Sequence, residues 1–425
     1  MKIHLNLLAV GFLVFALLGP ARARAGDLFN LTANDFLNSR SAGSSDLLLL
    51  VDKLVKNSAE FNVFSASPTV QAQLNYEGVP NALQFRLDDT GVVGPTRFQA
   101  RLTSQVSRSL NEQFHGATRD ELYSNLKAWF KRDGAQAYTQ LLKDLNAQSK
   151  VSPTDGNPGA TTARAAFQSY ADYSMTTTET REEKDQPKAS SGRAGFGLVA
   201  DIGVFDANGI KGTAYSLPLF AKFKLSERVG LNFNIPLSYT EIEAAKVFGA
   251  GLTLGVPIKI ILKKRDNPWF WQVAPFGGGN VMGSKEIVTG GLIVNGGIGN
   301  VLAYDFGAFE LSMGNQFSQF ESVALDFGGI KVDPGVAQKI VKNGLKVGIP
   351  FAKRWVVEAY AVHTKFLEAA GVDQYITAGG EIGYRFLGKP DAAKKKNGYM
   401  KLGFYTDIGN GYFSPHLQFG SGWKF

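Results

Sequence analysis

The feature that most limits the fold is an alternation of period two. In residues 229–240, VGLNFNIPLSYT, Val229, Leu231, Phe233, Ile235, Leu237 and Tyr239 share one face of an extended chain. Gly230, Asn232, Asn234, Pro236, Ser238 and Thr240 share the other, so the segment reads as a strand. The pattern returns at 194–204, 213–225, 252–262, 269–276, 291–301, 306–317, 344–351, 354–366, 374–386, 398–408 and 412–425, giving about twelve strands. Each has one oily face, and the fold class turns on whether packed protein or lipid lies against it.

Two observations favour lipid. The oily face carries almost no charge over many successive strands, while the other mixes Gly, Asn, Thr, Lys and Glu without the bulk of a dry core. Oily outside and polar inside is the lipid-embedded arrangement. Pro218, Pro236 and Pro257, on the polar face of adjoining strands, suit bends in a barrel wall better than flat ladders. The second observation is the chain end, YFSPHLQFGSGWKF, in which Phe413, Leu417, Phe419, Trp423 and the terminal Phe425 share one face.

On these residues, 194–425 resembles the integral outer-membrane β-barrel proteins of Gram-negative bacteria, at the level of the class. The resemblance implies an all-β transmembrane antiparallel barrel of about 12 strands, surrounded by outer-membrane lipid. It also implies a terminal signal, including Phe419, Trp423 and Phe425, read by the barrel-assembly machinery.

The N-terminus fits export. Lys2, the apolar run Leu5 to Leu18, and small residues at Ala21 and Ala23 or at Ala23 and Ala25 form a signal peptide over 1–25, cut before Gly26. Past it, no apolar run nears the roughly 18 to 20 residues of a spanning helix, and mean hydropathy is −0.08. The chain has no cysteine, so stability must come from closure of the sheet rather than from disulfides.

The formal charge of +8 does not point to nucleic acid, because the longest basic run is Lys394-Lys395-Lys396 in a turn-like stretch. No cofactor is expected, and no metal-ligand spacing or phosphate-binding loop stands out.

Residues 26–150 read as a small α+β periplasmic domain, with a periplasmic protein as its expected partner. Thr118-Arg119-Asp120-Glu121 is a capping box ahead of a helix over 119–132. Gly134 separates it from a second helix over 135–148, a third helix spans about 44–61, and VQAQLNYEG and ALQFRLDDTG read as strands. Residues 151–193, rich in Pro, Gly, Ser and Thr, read as a polar linker or plug segment. Within them, FQSYADYSMTTT (167–178) is a strand or a cavity filler, and counting it in the wall would make fourteen strands.

Short connections at 226–228, 264–267, 304–306 and 352–354, and a longer one at 389–397, are assigned to the periplasm. Parity then makes the intervening connections extracellular, puts both barrel ends in the periplasm, and leaves 317–344 as one long excursion with a short helix near 336–341. Facing the lumen are Asp201, Lys222, Lys224, Lys259, Glu310, Lys346, Glu358, Glu381, Arg385, Lys401, Asp407, His416 and Lys424. Lys222, Lys224 and Lys259 suggest a local basic wall.

A catalytic function is not expected, since His363 has no nucleophile motif beside it. Two functions fit: a channel for small solutes or a secreted polypeptide, gated or plugged by its N-terminal region, and a non-conducting anchor presenting a protein-binding domain.

Overall fold

The computed structural model describes residues 29–44, 47–76, 79–107, 110–132, 134–181, 194–207, 209–242, 245–263, 266–284, 289–327, 330–333, 335–386 and 397–424. The expected signal peptide over 1–25 and Phe425 lie outside these residues.

The N-terminal region is a six-stranded antiparallel sheet: β1 (Phe29–Asn34), β2 (Ser39–Ser44), β3 (Thr69–Tyr76), β4 (Val79–Asp89), β5 (Phe98–Thr103) and β6 (Asn111–Gly116), in the order β2-β1-β3-β4-β5-β6. Alternation decides its two faces. Leu31, Val70, Leu74, Phe85 and Leu87 are buried, together with Leu50, Leu54, Leu122 and Leu126 of helices Leu47–Val55 and Arg119–Lys131 and with Leu141 and Leu145 of Ala135–Gln148. The opposite face is polar, with Gln71, Gln73, Arg86 and Arg101 exposed. The cap forms with one change from the expected box: Thr118 Oγ1 accepts from the Glu121 N–H at 3.1 Å, while Glu121 Oε2 accepts at 2.9 Å from the Ala117 N–H, one residue before the N-cap.

The C-terminal region is a closed antiparallel barrel of twelve staves. β7 (Ala194–Ala207) is the first. Proline divides each of the next three: β8 (Ile210–Ser216) with β9 (Leu219–Lys224), β10 (Gly230–Ile235) with β11 (Leu237–Ile242), and β12 (Ala245–Gly255) with β13 (Ile258–Ile261). Continuous staves follow: β14 (Trp269–Ser284), β15 (Thr289–Asp305), β16 (Glu310–Val323), β19 (Ala337–Ile349), β20 (Trp355–Phe366), β21 (Gln374–Phe386), β22 (Asn397–Gly409) and β23 (Tyr412–Lys424). β23 pairs with β7 from Tyr412↔Ala207 to Lys424↔Gly195, which closes the wall.

The prolines have no N–H to give the ladder, yet their carbonyls keep it joined. Those of Pro218, Pro236 and Pro257 accept from Val199, Gly251 and Gly230 at 2.9–3.0 Å. The outer face is the oily one: Phe196, Leu252, Ile298, Leu345 and Leu417 are all exposed there. Aromatic pairs Trp269–Tyr304 and Trp355–Tyr384, each with ring centroids 4.8 Å apart, mark the rim that carries the ends of β7 and β23, as interfacial rings do.

Two expectations are corrected. Residues 336–341 form no helix; apart from Val336 they belong to β19, whose buried alternation runs through Ile340 and Lys342 to Lys346. The connection before it instead holds a small hairpin, β17 (Leu325–Phe327) with β18 (Ile330–Val332), outside the barrel sheet. Residues 167–178 are not a wall strand. They belong mostly to a helix, Thr161–Tyr173, and the wall keeps twelve staves.

Candidate functional site

The barrel interior holds chain. Residues 151–160 are all buried at one rim, the helix Thr161–Tyr173 follows, and an extended tail runs on to 181. The contacts of this segment go around the wall. Arg164 Nη2 donates to Asp201 Oδ1 of β7 at 2.5 Å, and Asn234 Nδ2 of β10 to Asp172 Oδ2 at 2.9 Å. Tyr173 stacks on Phe276 of β14 at 5.3 Å, while Gln316 of β16 donates to the Ala166 carbonyl and to Ser169 Oγ at 3.0 and 2.9 Å. An element touching β7, β10, β14 and β16 at once can only be inside.

Wall glycines make the fit close. A Cβ at Gly314 would overlap the Ser174 carbonyl oxygen, and one at Gly344 would overlap the Tyr170 hydroxyl. Beside the helix, a cavity of about 60 Å³ remains, lined by Arg164, Gln168, Asp201, Pro236, Asn280 and His416 among others. It has room for a few waters.

The inward side chains form two charged clusters. In the first, Glu358 Oε1 accepts from Lys346 Nζ at 2.5 Å and its Oε2 from Lys401 Nζ at 2.9 Å, and Lys401 also reaches Glu381 at 2.5 Å. The tail joins here: the Thr178 N–H donates to Glu358 at 3.3 Å, and Lys346 donates to the Thr176 carbonyl. In the second, Asp201 takes Arg164 and His416, and Asp407 Oδ2 lies 3.5 Å from His416 Nε2 and its Oδ1 2.5 Å from Thr377 Oγ1. Tyr405 stacks on His416 at 4.3 Å.

Of the twelve residues expected from parity and numbered up to 416, ten pair or stack in these arrangements or close to them. Glu310 pairs with Lys263 at 2.8 Å, and the Arg385 guanidinium lies 4.9 Å from the Tyr399 ring centre. Lys222 is the most exposed of the paired cations and lies 3.6 Å from Asp172. Lys224 is exposed and Lys259 half-buried. Phe419 and Trp423 lie on β23, Trp423 beside Phe196 of β7.

Sequence reasoning missed Lys342, Lys263 and Arg164. Lys342 is fully buried, donates to Thr364 Oγ1 at 2.7 Å and Tyr375 Oη at 3.2 Å, and faces the Phe167 ring. Its inward parity with Lys346 was a usable signal, hidden by the helix assigned there.

Ser414, His416 and Asp201 line up as a charge relay does, with Oγ to Nε2 at 2.9 Å and Nδ1 to Oδ1 at 3.2 Å. Ser414 is 1% exposed, its hydroxyl also lies 2.9 Å from the Val204 carbonyl, and Arg164 holds the aspartate. These bonds join β23 through Asp201 of β7 to Arg164 of the inserted helix.

The N-terminal domain sits on the rim opposite the barrel's ends. Lys150 Nζ donates to the Asn410 carbonyl at 3.2 Å and the Val372 N–H to the Gly156 carbonyl at 2.9 Å, and Gly335 packs against Lys143. The tail leaves by the other rim, where Arg181 donates to the Pro350 carbonyl at 2.9 Å and Glu179 lies 3.6 Å from Lys263. The chain thus crosses the lumen once between domain and β7. Two sequence expectations collide here: a domain on this rim and barrel ends on the other cannot both be periplasmic.

A closed antiparallel barrel of even strand number, oily outside and polar within, is the architecture of integral outer-membrane proteins, and this chain has it. No family profile matches the sequence, and no curated protein matches it either. Among solved structures, the translocator domain of autotransporter NalP from Neisseria meningitidis is similar at 13% identity and TM-score 0.37, over 62% of this chain and 97% of that one. A Pseudomonas aeruginosa FadL homologue is similar at 7% identity and TM-score 0.32, over 55% and 90%. The Bordetella autotransporter BrkA β domain is similar at 12% identity and TM-score 0.36, over 55% and 99%.

Proposed function

We propose that the protein is an outer-membrane channel of the barrel class, held shut by its own residues 151–181, which also tether the N-terminal domain to the far rim. The observation that carries this reading is the ring of contacts from one short segment to β7, β10, β14, β16, β19 and β20. A barrel of this size has space for a narrow pore or an inserted segment, and here the segment takes it. Charged lumen residues that would line an open pore bind the segment instead. Opening therefore means displacing it, which frees Asp201, Glu358 and Lys346 to face the permeating solute or polypeptide.

The side on which the domain lies follows from the barrel ends. If the terminal aromatic strand is read by assembly machinery in the periplasm, as the resemblance implies, the domain rim is the outer one. This replaces the periplasmic placement, and makes the domain a surface module rather than a partner for a periplasmic protein.

Single-channel recording in planar bilayers tests the closure. The full chain is expected to be silent, and deletion of residues 27–190 to give steady conductance. Silence in both supports the anchor reading and removes the channel. Sidedness has its own test: a single cysteine at Gln73, in a chain that has none, is expected to react with a membrane-impermeant maleimide on intact cells.

A further inference from the structure

Two loops of the N-terminal domain carry apolar side chains that the fold does not need. Phe36 and Leu37 occupy the centre of the β1–β2 turn and are 102% and 86% exposed. Val92 and Val93, between Gly91 and Gly94 in the β4–β5 loop, are 70% and 90% exposed. Turn centres ordinarily hold Gly, Asn, Asp or Ser, and none of these four side chains joins the core.

The register places both tips at one end of the sheet. Asn34 of β1 lies opposite Gln71 of β3, Gln71 opposite Arg86 of β4, and the Asp89 N–H donates to the Pro68 carbonyl at 2.8 Å. Asp35 bonds Ser67, tying the first turn to that same end. Two strand spacings separate β1 from β4, so the tips stand about 10 Å apart. The opposite end of the sheet meets the barrel side, where Tyr76 Oη lies 3.5 Å from Asn146 Oδ1 and Asn146 accepts from Ser152 at 2.9 Å. The tips point away from the membrane the barrel spans.

We infer that Phe36, Leu37, Val92 and Val93 form a docking edge that inserts into a lipid bilayer facing the barrel's own. Two properties favour lipid over a protein groove. The tips are convex and almost free of neighbours, whereas protein hot spots sit in packed pockets. Their backbone donors are also met locally: Asp35 Oδ1 accepts from the Leu37 and Asn38 N–H groups at 2.8 and 2.5 Å, Asp89 Oδ1 from Gly91 at 3.0 Å, and Thr90 Oγ1 from Val92 at 3.4 Å. Hydrocarbon offers no partner for an unmet N–H, and these loops bring few. Arg97 is held by Asp89 at 3.1 Å, so apolar contact rather than charge drives the insertion.

The absence of cysteine gives a direct test on the full chain refolded into nanodiscs. Leu37→Cys and Val93→Cys, each labelled with an environment-sensitive dye, are mixed with phosphatidylcholine vesicles. Gln73→Cys, on the exposed polar face, is the control. Blue-shifted, brighter emission at both tips and none at Gln73, in low and high salt alike, is expected. Phe36→Ser with Leu37→Ser should weaken vesicle co-flotation roughly tenfold or more. Unchanged tip spectra with vesicles in excess, or an equal change at Gln73, overturn the proposal.

Discussion

Arg164, on a helix inside the barrel, donates through Nη2 to Asp201 Oδ1 of the first wall strand at 2.5 Å, with both side chains largely buried. The pair fastens the inserted segment to the stave that follows it in sequence. Arg164→Ala leaves Asp201 buried without its guanidinium partner, held by His416 and Tyr405 alone among the described residues, and should lower stability in lipid by about 3 kcal/mol, the low end for a broken buried pair. Asp201→Asn added to it should restore most of that loss. Urea unfolding of the single and double variants measures the coupling.

Glu358 holds two lysines and the tail together. Glu358→Gln leaves Lys346 and Lys401 with Glu381 as their remaining carboxylate in the cluster, and weakens the acceptor of the Thr178 N–H. A loss of about 3 kcal/mol from the inserted state corresponds to roughly a hundredfold rise in its displacement. Openings counted in planar bilayers should rise accordingly, with the barrel still resisting unfolding at gel temperature.

The wall glycines offer a steric version of the same experiment. Gly314→Val and Gly344→Val place methyls where Ser174 and Tyr170 now lie, and should raise conductance without loss of the barrel. Gly283→Val, where an added Cβ meets nothing within 4 Å, should leave conductance unchanged.

Asp155 predicts a pH dependence. Burial pushes its carboxyl up to about 6, against the opposing hydrogen bond from Thr162 and the charge of Lys143. A raised carboxyl favours the folded state below its unfolded value of about 3.9 and loses that contribution as pH climbs through 6. Asp155→Asn should therefore stabilise the protein by up to about 3 kcal/mol at pH 7 and above, and change little near pH 4. Denaturant midpoints at the two pH values give the comparison.

The wall was legible because lipid enforces a strict rule. Residues such as Leu252, Ile298 and Leu417 must be apolar at every second position, and that rule alone yields twelve staves. The inserted segment obeys no such rule. Ser152, Thr154, Asn157 and Thr162 are all buried, yet they bond one another and their own backbone rather than an oily core. A polar lumen is filled by polar, small residues, the same composition that marks a linker. Lys342 was lost for a different reason: a helix assigned to 336–341 hid the parity that extends β19 inward. In the N-terminal domain the capping box and helices were legible, while β1 and β2, with sequences FNLTAN and SRSAGS, carry too little alternation to announce strands.

The most direct measurement is the reactivity of a cysteine at position 169. Ser169, 3% exposed, donates to the Ala166 carbonyl at 3.1 Å and accepts from Gln316 at 2.9 Å, deep between helix and wall. In the full chain refolded into lipid, Ser169→Cys should resist a bulky maleimide until the protein is unfolded by heat, while Gln73→Cys reacts at once. Equal rates at the two positions in the folded protein would contradict a lumen filled by the chain's own helix.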